Sequence, residues 1–546
     1  MCLQFAQPRA DHEEQRTPFQ RADYVSVLAL FAGALLLRAG TAAVFRFDGL
    51  YGQDPFAYYD FAADWARGQM PAAFFWPLGY PALLAALFRA FGTSAAAAQA
   101  ASLLLGALLP ALVYALTRQM GGGRGGALFA GGIMAVCGQA VQSSLVVMAD
   151  MPALFWATLS ALCLWRAAHA GKRGLVAAAL LLALACVSRW LYLALWPAWA
   201  LALFAHKGDF ARGGRAALLA VWVAAGLIFL PQAVYSRTNP YPTLNHAWVQ
   251  GWSPANAFTQ EFFNADGHFV YTQPNALYYA QAAFDPYYLP LLWTPLLIVG
   301  TLALWRRRAW RALRLLLAWA LLPYLFLAGI PYQNIRFPLI VMPALAILAG
   351  LGFSALGEQV LPPQTKVCGC RTSRLAFKSL RDSLRVPALL SLSDLRVKLH
   401  NAIHMLRGVL RPVLLAALIT FGLWQAYQAS SALIPAFLAR QQQDRAAAVW
   451  AAARIPAGAR LYTFNLTLTL RHYTTLEVFD LYYETPATLA AAGQTGQPAY
   501  LLIDSGNITR QWQGRAPHIA YAWLDERRGL RRLAQYGAYT LFRVGG

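Results

Sequence analysis

The chain has 546 residues, of which 58% are apolar and only 12% carry a charge. Soluble domains carry about 25% charged residues, so this composition excludes an ordinary soluble protein. The net charge of +22 would suit a nucleic-acid partner, but the positions of the basic residues, given below, argue against that class.

A first apolar run, residues 24–45, is long enough for one membrane-spanning helix. The polar, aromatic-rich stretch 47–81 follows it and holds four of the 23 acidic residues, namely Asp48, Asp54, Asp60 and Asp64. Carboxylates beside a membrane are costly unless they are solvated, paired or functional. We therefore interpret the outer loop 47–94 as one wall of an active site, with a short apolar helix over 78–91 lying flat at the interface.

Further apolar runs predict a polytopic α-helical membrane domain over residues 1–430 with about eleven transmembrane helices. A second large outer loop, 235–288, is rich in Tyr, Trp, Asn and Pro. The remaining predicted spans are 95–116, 127–145, 151–166, a tight pair within 175–204 that turns at Arg189, 216–234, 289–304, 315–329, 338–356 and 413–427.

The basic residues give this domain an orientation. Ten Lys or Arg residues fall in the segment 357–411, whereas the two large outer loops hold only Arg67, Arg89 and Arg237. Because Lys and Arg concentrate on the cytoplasmic side of membrane proteins, we expect a cytoplasmic N-terminus and a basic cytoplasmic segment. Most of the net positive charge is then explained by the orientation of the protein in the membrane. Membrane lipids rather than nucleic acid are therefore the expected partner.

The tail, residues 431–546, changes character. A helical pattern over 446–453 is followed by short β-rich runs at 460–465, 476–479, 500–504 and 539–543. These runs predict a small extracytoplasmic α/β domain. It shows no spacing typical of a metal site, a nucleophile triad or a phosphate loop, so we expect a supporting role.

Two acids are the first candidates for chemistry. Asp54 precedes Pro55 at a predicted helix start, and Asp150 lies two residues before Pro152 at the start of the fourth span. Either acid could simply cap its helix. Because both lie at the same face of the membrane, we also expect a shared pocket, in which a carboxylate could take a proton from an acceptor hydroxyl.

Three arginines form a second set of candidates. Arg189, Arg237 and Arg336 each lie at an outer helix end, where the topological bias makes arginine unusual. Each could extend its side chain to lipid phosphate at the interface. Together they would suit a phosphate-bearing ligand, since the guanidinium fork matches phosphate oxygens.

The order of these motifs resembles a known family. The chain is similar to the GT-C glycosyltransferases that use lipid-phosphate sugars, in the branch of the bacterial protein O-mannosyltransferases and the lipid A aminoarabinose transferase. The resemblance covers about residues 24–356. It rests on Asp54, Tyr58 and Ala62 at four-residue spacing, the Pro-Leu-Gly-Tyr-Pro stretch 77–81, Asp150, Arg189, and Arg336 with Phe337 and Pro343.

The resemblance implies an inverting transferase that moves a sugar from a polyprenyl-phosphate donor to a hydroxyl of a lipid, glycan or protein acceptor. Asp54 would be the catalytic base or its orienting carboxylate, with Asp150 a second pocket acid. Arg189 and Arg336 would bind the lipid phosphate. Further substrate contacts are expected from Tyr58, Asp60 and Tyr80, and from Arg237 because of its position.

Several points stay open at the level of sequence. Some related enzymes bind a divalent metal at the first-loop acid, so magnesium or manganese at Asp54 and Asp150 is an open alternative. The chain has Phe75-Trp76-Pro77 where the aminoarabinose transferase has a lysine, and Asp54-Pro55 where the protein mannosyltransferases have Asp-Glu. The sugar and the acceptor are therefore undecided.

Two rival functions remain. A transporter or flippase of lipid-linked sugars would also use outer arginines and aromatics, although such proteins usually show internal repeats and broken midplane helices. A non-catalytic relative that senses or scaffolds through its outer domain is the second rival. Abundant Ala and Arg with few Lys favour a GC-rich bacterial source and hence a bacterial inner membrane.

Overall fold

The computed structural model describes residues 19–71, 74–170, 172–204, 214–238, 250–264, 266–358 and 392–545. Most of these residues are helical, as their long apolar runs predict. The membrane-domain helices are α1 (Arg21–Val44), α2 (Asp54–Ala66), α3 (Gly79–Phe91), α4 (Ala95–Gln119), α5 (Arg124–Val136), α6 (Gly138–Leu145), α7 (Asp150–Ala170), α8 (Lys172–Ser188), α9 (Trp196–Phe204), α10 (Gly214–Thr238), α11 (Asn275–Ala280), α12 (Thr294–Arg306), α13 (Trp310–Ala328), α14 (Met342–Glu358) and α15 (Leu392–Ala452).

The predicted polytopic helical membrane fold is confirmed. Among the described residues, five helices are long and apolar enough to cross a membrane, or six if the bent pair α5 and α6 forms one span. The five are Arg21–Val44, Ala95–Gln119, Trp310–Ala328, Phe337–Gly357 and Val413–Ala452. The number of about eleven spans and the orientation stay predictions.

The run 127–145 differs from its prediction as one helix. The chain bends by 52° between α5 and α6, at Cys137. The bend frees carbonyls of the last turn of α5, and the buried Arg38 of α1 donates to those of Met134 (3.3 Å) and Ala135 (3.1 Å). Arg38 also donates to the Ser144 hydroxyl of α6 at 3.0 Å. A side chain more than ninety residues away therefore completes the hydrogen bonding of the break.

The run 175–204 forms two helices that meet at a turn, as predicted, and whether each of them crosses the membrane stays a prediction. α8 ends at Ser188, and a 3₁₀ turn over Trp190–Leu195 separates it from α9. Arg189 lies at this turn. A second 3₁₀ turn, Phe337–Val341, directly precedes α14 and follows Arg336. Both arginines therefore lie where a helix meets a turn.

The predicted small C-terminal α/β domain is confirmed. Its elements are β3 (Arg460–Thr463), α16 (Thr467–Tyr473), β4 (Glu477–Asp480), α17 (Pro486–Gly493), β5 (Ala499–Ile503), α18 (Ser505–Arg510), α19 (Ala516–Arg528), β6 (Leu530–Tyr536) and β7 (Tyr539–Val544). The sheet has the order β4-β3-β5-β7-β6, with β3 parallel to both β4 and β5, and β7 antiparallel to both β5 and β6. The strand β6 was not predicted.

The helix α15 connects the two parts of the chain. It runs without a break from Leu392 to Ala452, through the predicted boundary at residues 430 and 431. Its last turns pack Ala447, Ala448 and Ala451 against the sheet. The helix is thus shared by the membrane domain and the C-terminal domain.

Parts of three predicted loops or segments lie outside the described residues. These are residues 359–391 of the basic segment 357–411, residues 72–73 of the outer loop 47–94, and residues 239–249 and 265 of the outer loop 235–288. The described part of that loop includes a short antiparallel hairpin of β1 (Glu261–Asn264) and β2 (Gly267–Val270).

The C-terminal domain contacts both outer loops of the membrane domain. Tyr473, at the end of α16, donates from its hydroxyl to the Asp48 carboxylate at 2.6 Å. The backbone N–H of His268 donates to the carbonyl of Gln511, just after α18, at 2.8 Å. Because α16 follows β3 and α18 follows β5, the carboxyl ends of these two strands face the membrane domain.

Candidate active site

Asp54 begins a short helix in the first outer loop. It is the first residue of α2, and Pro55 occupies the first turn. Backbone N–H groups of the first turn have no partner within the helix, so the missing N–H of proline costs no hydrogen bond. The Asp54 side chain is 28% exposed, so one face of its carboxylate is open. Since a helix turns by about 100° per residue, Tyr58 lies on nearly the same face as Asp54.

Asp150 begins the helix that follows the broken pair. α6 ends at Leu145, a short extended stretch follows, and α7 starts at Asp150. The Asp150 side chain is only 4% exposed, so it is far more enclosed than Asp54. The two acids therefore have different access to an incoming substrate.

The loops that carry the two acids are joined by direct hydrogen bonds. The backbone N–H of Val147 donates to the carbonyl of Gly49 at 2.9 Å. The buried Gln99 of α4 donates from Nε2 to the carbonyls of Phe47 (3.0 Å) and Leu145 (2.8 Å). Gly49 has φ +87°, and a Cβ there would lie 2.8 Å from Cγ2 of Val147, so only glycine fits. Gln99 thus fixes the separation of the two acid-bearing loops.

The predicted arginines meet these acids. Nε of Arg189 lies 3.1 Å from Oδ1 of Asp150. The Arg336 guanidinium lies between both acids, with Nη2 3.4 Å from Oδ2 of Asp54 and Nη1 3.5 Å from Oδ2 of Asp150. Two carboxylates and two guanidinium groups therefore form one ion cluster with no net charge.

Local contacts fix both arginines. Asn334 accepts from the backbone N–H of Arg336 at 3.0 Å and from its Nε at 3.3 Å. The guanidinium of Arg189 lies 5.3 Å from the ring centroid of Phe337, a cation–π distance. Burial works to lower the pKa of Arg336, but the carboxylates of Asp150 and Asp54 outweigh it and raise that pKa above its usual value. Arg336 therefore stays cationic in this site.

Two predicted tyrosines line the cluster. Tyr58 is fully buried, and its hydroxyl has no hydrogen-bond partner among the described residues. Burial raises its pKa well above the usual value, while the nearby Arg189 acts in the opposite direction. Tyr80 packs against Tyr58 with 5.1 Å between ring centroids, and its hydroxyl lies 3.0 Å from that of Ser102. The neutral Tyr58 hydroxyl is therefore a buried donor whose hydrogen bond is unmade among the described residues.

Two other predicted substrate-binding residues lie apart from this cluster. Asp60 comes six residues after Asp54, which places it roughly 240° around the helix. It is exposed on the side of α2 that faces the C-terminal domain, where the neighbouring Tyr59 packs against His472. Arg237 is exposed in the last turn of α10. Neither side chain contributes an ion pair to the cluster.

The structure adds residues that the sequence did not single out. Asn334 orients Arg336, and Gln99 joins the two loops, as described above. Asp266 lies in the turn between β1 and β2, and its carboxylate is near enough to that of Asp54 for the two negative charges to repel each other. The carbonyl of Asp266 accepts from Nε2 of Gln511 at 3.1 Å. A polar residue inside an apolar span was the one available signal for Gln99, whereas the hairpin turn gave no signal for Asp266.

The arginines beside Asp54 and Asp150 disfavour a divalent cation between these two acids. Both carboxylates already lie against arginine, and cation repulsion disfavours a metal ion beside Arg336. No group of three His, Cys, Asp or Glu side chains suited to a metal ion occurs in the described part of the chain. Oxygen-rich divalent sites usually supply several protein ligands.

The fold is that of the GT-C glycosyltransferases, with a helical membrane domain followed by a small C-terminal domain. The predicted resemblance is confirmed by comparison with known proteins. The model of the dolichyl-phosphate-mannose-protein mannosyltransferase family matches residues 85–241.

Solved structures extend the likeness over nearly the whole chain. ArnT from Cupriavidus metallidurans bound to undecaprenyl phosphate is 15% identical, with a TM-score of 0.55, over 96% of this chain and 97% of that one. The oligosaccharyltransferase of Archaeoglobus fulgidus in the apo form is 14% identical, with a TM-score of 0.59, over 91% of this chain and 72% of that one. No curated protein sequence matches the chain. The chain therefore has the GT-C fold and resembles the branch that contains ArnT and the protein mannosyltransferases.

Proposed function

We propose that this chain is an integral-membrane inverting glycosyltransferase. It transfers a sugar from a polyprenyl-phosphate donor to an acceptor hydroxyl at the outer face of a bacterial inner membrane. The observation that carries the proposal is the position of Arg336 between the carboxylates of Asp54 and Asp150. The ArnT structure with undecaprenyl phosphate supports a polyprenyl-phosphate ligand for a chain of this fold.

The donor phosphate would compete for Arg336. The contact between Arg336 and Asp54 is long, at 3.4 Å, and Asp54 is partly exposed. A phosphate oxygen approaching the guanidinium would take over this contact, since arginine binds phosphate in a bidentate way. Asp54 would then be released beside the sugar. Asp150, enclosed and paired with Arg189 at 3.1 Å, would keep both arginines in place.

The reaction then follows from the positions of these groups. Asp54 takes the proton of the acceptor hydroxyl as the oxygen attacks the anomeric carbon. The bond between that carbon and the phosphate oxygen breaks, and its electron pair leaves with the lipid phosphate. Arg336 and Arg189 stabilise the negative charge that develops on the leaving phosphate. Tyr58 donates its free hydroxyl to a substrate oxygen.

A transporter of lipid-linked sugars remains the second candidate. The broken pair α5 and α6 is a feature that such proteins share. Here, however, the freed carbonyls bind Arg38 instead of facing a cavity, which favours a structural role for the break. The ion cluster supplies a base for chemistry that a transporter does not need.

The test is release and transfer of radiolabelled sugar from synthetic polyprenyl-phosphate sugars by purified protein. Asp54→Asn abolishes turnover while donor binding persists, because Arg189 and Arg336 remain. Asp64→Asn, on the same helix but paired with Arg67 at the surface, is the matched control and keeps normal turnover. Saturable donor binding without turnover by the wild type would instead establish the transporter.

The metal alternative has its own measurement. With Arg336 holding both acids, we expect turnover to continue in excess EDTA. Turnover that stops in EDTA and returns with magnesium or manganese would show that Asp54 and Asp150 bind a cation. The sugar and the acceptor class are determined by the same assay with a panel of donors and with lipid, glycan and peptide acceptors.

A further inference from the structure

A second polar cavity lies in the C-terminal domain, apart from the ion cluster. It has a volume of about 660 Å³ and lies where the end of α19, the edge strand β6 and the end of β7 come together. Three arginines, Arg528, Arg531 and Arg543, line it, and none of the described residues that line it is acidic. We call it the arginine cleft.

The three arginines come from three different elements. Arg528 belongs to the last turn of α19, Arg531 to β6 and Arg543 to β7. A charged edge strand alone would be explained as protection against edge-to-edge pairing. That explanation covers Arg531 but not Arg543 on the inner strand β7. Arg528 is a basic residue in the last turn of a helix, where cations are favourable, and it donates to the carbonyl of Ala490 at 3.4 Å. The presence of Arg543 opposite Arg531 in one cavity therefore needs another reason.

The pairing of the strands makes the charge unfavourable without a ligand. Arg531 and Arg543 lie directly opposite each other in the antiparallel register of β6 and β7. Like charges at directly opposite positions destabilise a sheet. None of the three arginines forms an ion pair within the part of the chain that the structure describes. An oxyanion between the guanidinium groups would remove this repulsion.

The size of the cleft indicates more than a free anion. A cavity of about 660 Å³ falls within the range of roughly 300–1,000 Å³ that small-molecule sites occupy. Gly493, Gly496, Gly529, Gln497 and the largely buried Tyr462 form part of its wall. The glycine backbone and the Gln497 side chain offer amide and carbonyl partners, which suit the hydroxyls of a sugar.

The location excludes a lipid headgroup in the bilayer. The cleft lies at the start of β5, beside Pro498 and Ala499, whereas the end of β5 leads into α18 and the contact between Gln511 and the hairpin. The five residues of β5 span about 16 Å, at roughly 3.3 Å per residue. The cleft therefore opens on the side of the domain opposite its contact with the membrane domain.

We infer that the arginine cleft binds an acidic saccharide from the aqueous side, through a phosphate or carboxylate held by Arg531 and Arg543. The inference does not depend on the chemistry proposed for Asp54. It gives the C-terminal domain a binding role of its own, separate from the donor lipid.

The test is calorimetric titration of the full chain in neutral detergent. An Arg336→Gln background weakens phosphate binding at the ion cluster, and the probes are glucose 1-phosphate, inorganic phosphate and glucose at constant ionic strength. We expect glucose 1-phosphate to bind more tightly than either of the others. Arg531→Gln with Arg543→Gln weakens this binding at least tenfold, whereas Arg532→Gln, next on the strand but outside the cleft, changes it less than twofold.

Three results would overturn the inference. These are equal binding by the double variant and by Arg532→Gln, equal affinity for glucose 1-phosphate and inorganic phosphate, and displacement of the sugar phosphate by a short-chain phosphatidic acid. If the double variant does not fold, the single change Arg531→Gln at the exposed edge strand replaces it, with an expected loss of at least threefold. All of these readouts are binding constants, so they stand even if the chain shows no transferase activity.

Discussion

Replacing Arg336 by Gln is the sharpest perturbation of the ion cluster. The change removes the contacts to Asp54 at 3.4 Å and to Asp150 at 3.5 Å, and it leaves two carboxylates with one guanidinium. The site then carries one net negative charge where a phosphate must bind. Binding of the donor and stabilisation of the leaving phosphate are both weakened.

The magnitude follows from the exposure of the side chain. Removing one preorganised donor to a developing oxyanion typically lowers kcat by about 10²–10³, or roughly 2.7–4 kcal/mol. The Arg336 side chain is 23% exposed, so water screens part of its charge and we expect the lower end, about 100-fold. Arg336→Lys keeps the positive charge but cannot bind a phosphate with two parallel hydrogen bonds, so it recovers only part of the activity.

The assay measures kcat and KM for a synthetic polyprenyl-phosphate sugar. Arg67→Gln is the matched control, since Arg67 lies in the same outer region but pairs with Asp64 at the surface. We expect kcat to fall and KM to rise for Arg336→Gln, with both unchanged for Arg67→Gln. A folded Arg336→Gln protein with activity within threefold of wild type would refute the role assigned to the cluster.

Three further predictions follow from contacts away from the reacting groups. Gln99→Leu removes the two hydrogen bonds that join the acid-bearing loops, so kcat falls at least tenfold with little change in donor binding, whereas Gln119→Leu at the end of the same helix is neutral in the same kinetic assay. Arg38→Met leaves the carbonyls at the helix break unpaired, at about 1–3 kcal/mol for each buried group, and lowers the unfolding temperature in detergent; an unchanged temperature would contradict this role. Tyr473→Phe removes a hydrogen bond to the Asp48 carboxylate, about 1.5–3 kcal/mol, and increases hydrogen exchange in α16, whereas Tyr521→Phe does not.

The sequence predicted most of the helices because long apolar runs have few alternatives in a membrane. Helix bounds such as those of α3 and α4 agree with the prediction within a few residues. The break in 127–145 was missed because its cause is tertiary. No proline interrupts that run, and the partner that stabilises the bend, Arg38, lies in another helix.

In the candidate site, too, some features could be predicted from local sequence and others depend on tertiary contacts. Asp54, Asp150, Arg189 and Arg336 converge as their shared location at outer helix ends predicts, although their roles stay predictions. Asp60 was expected to contact the substrate, yet helical periodicity alone puts it on another face of α2. Asp266 and the arginine cleft depend on strand register and on domain docking, which no local pattern in the sequence encodes.

The hydrogen bonds of Arg38 also bear on how α1 is inserted into the membrane during synthesis. Its hydrogen-bond partner Ser144 lies 106 residues later in the chain, and Ala135 lies 97 residues later. At about 5–20 residues per second, synthesis of that stretch takes roughly 5–20 s. During this interval Arg38 has the Ala34 carbonyl of its own helix as a partner, at 3.2 Å, but not its partners in α5 and α6. The cost of the incompletely paired charge is at most about 2.5–3.5 kcal/mol, the value for a charge at the centre of a span. We therefore expect α1 to remain beside the insertion machinery until α5 and α6 arrive, so that its release into lipid is delayed until these two helices are made.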